Sequence, residues 1–218
     1  MAALRATSRT ERTRTALIGA GRRLYSERSI DAVTVDDIVQ LAAVGKGSFY
    51  NHFDGREDLA QAVAAEARSI IEASISKANA GVADPAHRMA RAVCTYFRFA
   101  LDHAESAGVL IRLESGSAVL STSLNRGLVQ DIETGLASGR FAISTVEAGV
   151  LLVLGVTQLA LVRVTQEPTL SFAVPLSQQM CTLILKAFSL APSEAELVAA
   201  QASDEIVRKG PAVPFVAT

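Results

Sequence analysis

The sequence predicts an all-α protein of about nine or ten helices, and three observations carry that prediction. Apolar residues recur at helical spacing along most of the chain. Helix start and stop signals stand between the apolar segments. No alternating apolar–polar run is flanked by hairpin turns, and no internal repeat is present. With 218 residues, half of them apolar, the chain can build one large domain or a small domain joined to a larger one. A net charge of −1, with one residue in five charged, excludes a disordered chain, a polycation and an acidic tail protein. Cys94 and Cys181, far apart in sequence, make neither a disulfide framework nor a zinc cluster, which points to a reducing, cytoplasmic compartment. Met1 to Thr15 carries Arg5, Arg9, Arg12 and Arg14 without an apolar stretch, so it does not read as a secretory signal.

The elements follow in order. Ser8-Arg9-Thr10-Glu11 fits a capping box, in which a hydroxyl and a carboxylate satisfy free amides of the first turn, and Leu17, Ala20, Leu24 and Tyr25 then form an apolar stripe. Thr34-Val35-Asp36-Asp37 opens a second, short helix with Val35, Ile38 and Leu41 facing inward and two acids at its positive end. After Ala43-Val44-Gly45 comes a third short segment, Lys46 to Phe53. Asp54-Gly55-Arg56-Glu57 caps a fourth helix that runs unbroken to about Asn79. Asp84-Pro85 launches a fifth, to about His103. Gly108, Gly116 and Gly139 punctuate the middle. Ser144-Thr145-Val146-Glu147 opens a helix that ends before Pro168; another, with Pro175 early in it, stops before Pro192. Ser193-Glu194-Ala195-Glu196 caps the last, which ends at Gly210-Pro211.

Ala148 to Val162 is almost wholly apolar. At 15 residues, with Thr157 and Gln158 inside and Glu147 and Arg163 flanking, it falls short of the roughly 18 that a membrane span needs, and no membrane partner is expected. A soluble helix that is apolar all round is covered on every side. Gly149 and Gly155, with Ala148 and Ala160, admit a close neighbour. The expectation is a homodimer seam made by the helices near 144–166 and 173–190, the latter offering Leu176, Met180, Leu183, Ile184 and Phe188.

Taken as a total, the charge argues against nucleic acid, but the total hides an asymmetry. Residues 1–28 hold seven Arg against two Glu, so the remainder is acidic. That layout suits a chain that touches phosphate with one end; a solvated arm is the plainer alternative. Residues 34–53, TVDDIVQLAAVGKGSFYNHF, place two short helices and a tight turn directly after the basic segment. This is the pattern of a helix-turn-helix, whose second helix enters the major groove. Phe49 and Phe53, at i and i+4, bury against the preceding helix, while Gly47, Ser48 and Asn51 lie opposite. An Asn amide can pair with adenine in two bonds, and a Ser hydroxyl with either kind of base. Lys46, Tyr50 and His52 offer donors to phosphate oxygens.

Residues 13–63 resemble the DNA-binding region of the tetracycline-repressor (TetR) family of bacterial transcriptional regulators. Leu24-Tyr25-Ser26-Glu27-Arg28-Ser29 is similar to the end of the family's first helix, Thr34-Val35-Asp36-Asp37-Ile38 to its second, and Lys46-Gly47-Ser48-Phe49-Tyr50-Asn51-His52-Phe53 to its recognition helix. The rest of the chain resembles the family only in all-helical architecture. The resemblance implies that Thr34 caps the second helix and bonds a phosphate. It implies that Lys46, Tyr50 and His52 grip the backbone, that Gly47 and Ser48 face base edges, that Asn51 contacts DNA, and that Arg56 neutralises a phosphate. Three residues depart from the pattern: Ser29 and Ala43 replace glycines, and Gly45 replaces a Ser cap.

The expected organisation is a basic arm and helix-turn-helix domain over 1–54, followed by a helical effector-binding and dimerisation domain over 55–218. The expected function is a ligand-responsive homodimeric regulator, a repressor released from a pseudopalindromic DNA operator by a small molecule. Candidate effector residues are Met89, Val93, Tyr96, Phe97, Arg112, Gln158 and Arg163, in which Tyr, Arg and Gln fix the polar end of an apolar ligand. The alternative is a ligand- or protein-binding module of the same fold that does not bind DNA, supported by the three departures. An enzyme is not expected, nor a cofactor. Ile18-Gly19-Ala20-Gly21 imitates a dinucleotide loop, but no strand precedes it and the segment lies inside a helix. His52, His87 and His103 lack metal-ligand spacing, and no nucleophile elbow is present.

Overall fold

A computed structural model describes residues 9–113, 123–211 and 213, which form ten α-helices and no strand. Arg5, Ser8, Gly116 and residues 212 and 214–218 of the C-terminal tail lie outside the described residues. Three helices come first: α1 (Arg9–Glu27), α2 (Val35–Leu41) and α3 (Lys46–Tyr50). The connector α4 (Arg56–Ala78), 23 residues and so about 34 Å long, leads to α5 (Pro85–Asp102) and α6 (Ala104–Leu113). Then follow α7 (Ser123–Ala137), α8 (Val146–Gln166), α9 (Leu170–Ala187) and α10 (Pro192–Ala202), which runs on into a π-helical turn at Ser203–Arg208.

The apolar residues settle into two cores. The smaller gathers Leu17, Tyr25, Ile38, Phe49 and Phe53 with Leu59, Ala60, Val63 and Ala64 of α4, and takes Val109 from α6. The larger is built around α5, whose Met89, Val93, Phe97 and Phe99 are buried among α8, α9 and α10. α4 contributes to both, and α6 packs on α1, α4 and α8, so the small head is braced against the body on two sides. Gly21 owes its place to packing, because a Cβ there would stand 3.0 Å from both Leu59 and Val63.

Several local expectations change. Leu41 is 43% exposed, because the last turn of α2 presents Val39 and Ala42 to the core in its place. Gly108 does not break the chain; it lies within α6 where a Cβ would press on Ser26, which lets α1 and α6 approach closely. The cap of α8 is Thr145, whose hydroxyl accepts from the Ala148 amide at 3.1 Å, and Ser144 stands outside. α10 starts two residues earlier than Ser193 suggests. Pro192 takes its first position, where a missing N–H costs nothing, and Ala191 is the cap residue. Asp84 caps α5 as expected, accepting from Ala86 N at 3.2 Å.

α8 is 21 residues long, and by length and composition alone it would suffice to cross a membrane. Its buried side, Gly149, Val150, Val153, Thr157, Ala160, Leu161 and Val164, packs on α5, α6, α7 and α9. Its other side leaves Leu151, Gly155 and Leu159 uncovered, with Leu159 72% exposed. α9 adds the exposed Leu183 and the half-buried Leu176 and Met180.

Candidate nucleic-acid interface

The head is organised by polar closures at each helix end. The Thr34 hydroxyl accepts from the Asp37 amide at 3.1 Å and the Asp37 carboxylate accepts from the Thr34 amide at 3.0 Å, a reciprocal capping box. Those two bonds, helped by the Arg28 guanidinium 3.2 Å away, hold the Asp37 carboxyl below the usual carboxylate range. α2 ends in a Schellman turn: Val44 N donates to Val39 O at 3.1 Å and Ala43 N to Gln40 O at 3.2 Å. Ala43 adopts the left-handed conformation that this turn requires, φ +54°. Gly45, extended at φ −75°, ψ 151°, caps α3 without a side-chain bond. Ser29 is likewise extended, φ −66°, ψ 159°, so α1 ends without a left-handed residue. All three departures are thus accommodated with the helix-turn-helix retained.

α3 stands on an aromatic footing. Phe49 and Phe53 are buried, their ring centroids 5.9 Å apart, and the Arg14 guanidinium of α1 lies over the Phe53 ring at 5.6 Å. Tyr50 meets Phe49 edge-on at 5.3 Å but remains 54% exposed. Helix α3 is shorter than the sequence suggests. It ends at Tyr50, and Asn51 is its cap residue, its backbone N–H donating to Gly47 O at 3.2 Å. Lys46, Gly47, Tyr50 and Asn51 are exposed together on this one turn, with Ser48 and His52 partly covered beside them. Thr34 is exposed at the start of α2 and Arg56 is half-buried at the start of α4.

Two contacts here have no signal in the sequence. The Tyr25 hydroxyl, from the end of α1, donates to Arg56 O at 2.8 Å and ties the start of α4 to the head. Burial pushes that phenol up to about 12, and the nearby Glu57 charge adds to the shift while Arg56 opposes it. The second is a set of acids facing the cations. Asp36 Oδ1 lies 2.9 Å from Lys46 Nζ, and its bond and charge raise the Lys46 pKa. Arg56 meets Asp31 at 3.2 Å and Glu57 at 2.9 Å. These pairs are solvent-exposed and individually weak, so a phosphate can take over the cations.

The candidate effector residues divide. Met89, Val93 and Phe97 are buried on one face of α5, Tyr96 is half-buried beside them, and α8 packs on α5. Gln158 of α8 reaches Ile111 O of α6 at 3.4 Å. Arg112 and Arg163 do not join this group. Arg112 turns to α1, donating to Ser26 O at 2.8 Å, and Arg163 lies exposed with its guanidinium 5.5 Å over Phe172. Helical spacing gives a long side chain's starting direction but not where its charged end settles. Sequence reasoning missed Thr157, whose hydroxyl is buried in α8 without a hydrogen-bond partner among the described residues.

Residues 17–63 match the family model described as bacterial regulatory proteins, tetR family. Residues 84–201 match the model for the tetracyclin repressor-like C-terminal domain. Over 95 residues the chain is 32% identical to the HTH-type transcriptional repressor DhaR of Mycobacterium sp. (strain GP1), a stretch that covers 44% of this chain and 46% of that protein. Less than half of that relative is therefore spanned. Among solved structures, RolR in complex with resorcinol superposes with a TM-score of 0.60 at 26% identity, covering 90% of this chain and 97% of RolR. A bacterial regulatory protein of the tetR family from Rhodococcus RHA1 gives a TM-score of 0.66 at 20% identity, over 85% of this chain and all of that one, a likeness of fold. With a head built around an exposed α3, a helical body, and both family models matched over most of its length, the chain belongs to the TetR family of bacterial regulatory proteins.

Proposed function

We propose that the protein is a cytoplasmic homodimeric repressor that binds a pseudopalindromic DNA operator through α3 and releases it when a small organic molecule enters the body. One observation carries the DNA reading: Lys46, Gly47, Tyr50 and Asn51 project from a turn whose other side, Phe49, is locked into the core. Lys46, Tyr50, His52, Thr34 and Arg56 serve the phosphates, and Gly47, Ser48 and Asn51 lie against base edges. The relative DhaR, named a repressor, supports the direction of regulation.

The uncovered leucines of α8 and α9 support the dimer. Leu151, Gly155 and Leu159 stand at i, i+4 and i+8 on α8, and Leu183 is exposed on the neighbouring α9, apolar surface that a second copy would bury. The effector site is placed between α5, α6 and α8, with Met89, Val93, Tyr96 and Phe97 as walls and Gln158 and the unpartnered Thr157 hydroxyl as polar anchors. RolR, solved with resorcinol, supports a small ligand with a polar end.

Selection from a random duplex pool tests the reading. The enriched sites are expected to be pseudopalindromes with half-site centres about 34–36 Å apart or a multiple of that. Ser48→Ala or Asn51→Ala should each cost about 1–3 kcal/mol at one base position. A uniform loss at all positions would demote that residue to a backbone contact, and a pool without enrichment would refute the operator.

A further inference from the structure

The polar face of α5 lines a cavity on the side of the helix away from the effector site proposed above. Helical spacing places Arg91 and Arg98 on the side of α5 opposite Met89, Val93 and Phe97. There the last turns of α4, the π-helical turn and Gly210, Pro211 and Val213 surround a cavity of about 340 Å³. Its construction is specific. π-helical geometry is rare and recurs at functional sites, and Glu205 and Ile206 of this turn form part of the wall. A Cβ at Gly210 would collide with the Ile206 carbonyl oxygen, so glycine lets the chain fold back over the turn.

Three cations share the wall: Lys77 of α4, and Arg91 and Arg98 of α5. Arg91 donates through Nε to Ala78 O at 2.8 Å and through Nη1 to Glu205. Arg98 donates through Nε to Asp102 at 2.8 Å, and through Nη1 to Gly210 O at 2.8 Å and Val207 O at 3.3 Å. The two side chains are only 21% and 16% exposed, so both are held in place and partly desolvated. Among the described residues, Nη2 of each guanidinium and the Lys77 ammonium bond to no protein group. Among the described residues Glu205 is the one acid in the wall, and Asp102 offsets Arg98 from outside it. Ile206, Pro211 and Val213 form an apolar part of the wall, to which Ser74 and Thr95 add hydroxyls.

We propose that this cavity binds an organic oxyanion, a carboxylate or phosphate monoester on an apolar body. The head group takes the free Nη2 donors of Arg91 and Arg98 and the Lys77 ammonium, and the body lies against Ile206 and Val213. The site is independent of DNA binding and of the effector site, so it stands or falls separately from both.

Calorimetric titration of the full chain with octanoate, octyl phosphate and neutral octanamide tests this. Saturable binding of at least one anion is expected, and which anion binds names the head group; octanamide should not compete. Lys77 is exposed on the last turn of α4, so Lys77→Glu should leave the melting temperature and DNA binding intact while weakening the anion by about tenfold. Lys77→Arg should restore it. Equal binding of octanamide, unchanged affinity in Lys77→Glu, or no binding of either anion at millimolar concentration would each overturn the proposal.

Discussion

Ala43→Gly is expected to stabilise the protein by about 1 kcal/mol. Ala43 holds φ +54° because it occupies the position after the cap residue in the Schellman turn between α2 and α3. An L-residue in that conformation costs about 1–2 kcal/mol, which glycine does not incur. Against this, glycine adds freedom to the unfolded chain worth about 0.4–1 kcal/mol. Urea unfolding at fixed protein concentration should show a midpoint raised by roughly half a molar with an unchanged slope. Ser29→Gly is the internal control. Ser29 is already extended, φ −66°, so glycine there relieves nothing and should destabilise by about 0.4–1 kcal/mol. A lower midpoint for Ala43→Gly, or a gain for Ser29→Gly, would refute the assigned turn geometry, and with it the angle at which α3 is presented.

Tyr25→Phe should cost about 1–2 kcal/mol at neutral pH by leaving the Arg56 carbonyl without its donor. Because the folded phenol is raised to about 12, its contribution is complete below about pH 10 and is lost as pH climbs through that window. Thermal melts of the Phe variant should therefore lose less stability between those values than the parent, and parallel curves would contradict the bond. Asp36→Asn removes the exposed carboxylate that faces Lys46 at 2.9 Å. Fluorescence anisotropy should then show DNA affinity raised about two- to threefold with a steeper salt dependence, whereas weaker binding would make Asp36 a positioning group for the lysine. Leu159→Glu puts a charge at the most exposed leucine of α8. Light scattering should report a folded monomer, and an unperturbed dimer would place the seam elsewhere.

Elements whose signals are local were legible in the sequence. Thr34-Val35-Asp36-Asp37 opens α2, Asp84-Pro85 starts α5, and Phe49 and Phe53 at i and i+4 are buried together. Helical periodicity tells which face is apolar, not which neighbour covers it. Gly108 therefore read as punctuation when it serves the contact of α6 with Ser26, and Leu41 read as core although the turn after it leaves it in solvent. The candidate site shows the same division. The α3 residues follow from one short segment, whereas the effector residues depend on where long side chains end. Arg112 and Arg163, chosen for their charge, found partners at Ser26 and Phe172, while Thr157, with no motif around it, is the hydroxyl left unpartnered inside. The cations of α5 are the extreme case, because their cavity depends on a π-helical turn more than a hundred residues away in sequence.

The central claim is that α3 is the DNA-reading element, and the paired substitution Lys46→Ala with Tyr50→Ala tests it most directly. Both side chains are more than half exposed, and only Tyr50 touches the core, edge-on at Phe49, so the variant should remain folded and lose no more than about 1.5 kcal/mol of stability. Anisotropy titrations of a selected operator duplex across a series of salt concentrations should show affinity for the parent that falls steeply with salt. The variant should bind at least about tenfold more weakly, with a shallower salt slope because fewer phosphates are neutralised. Full affinity and an unchanged slope in the variant would remove α3 from the interface and contradict the account.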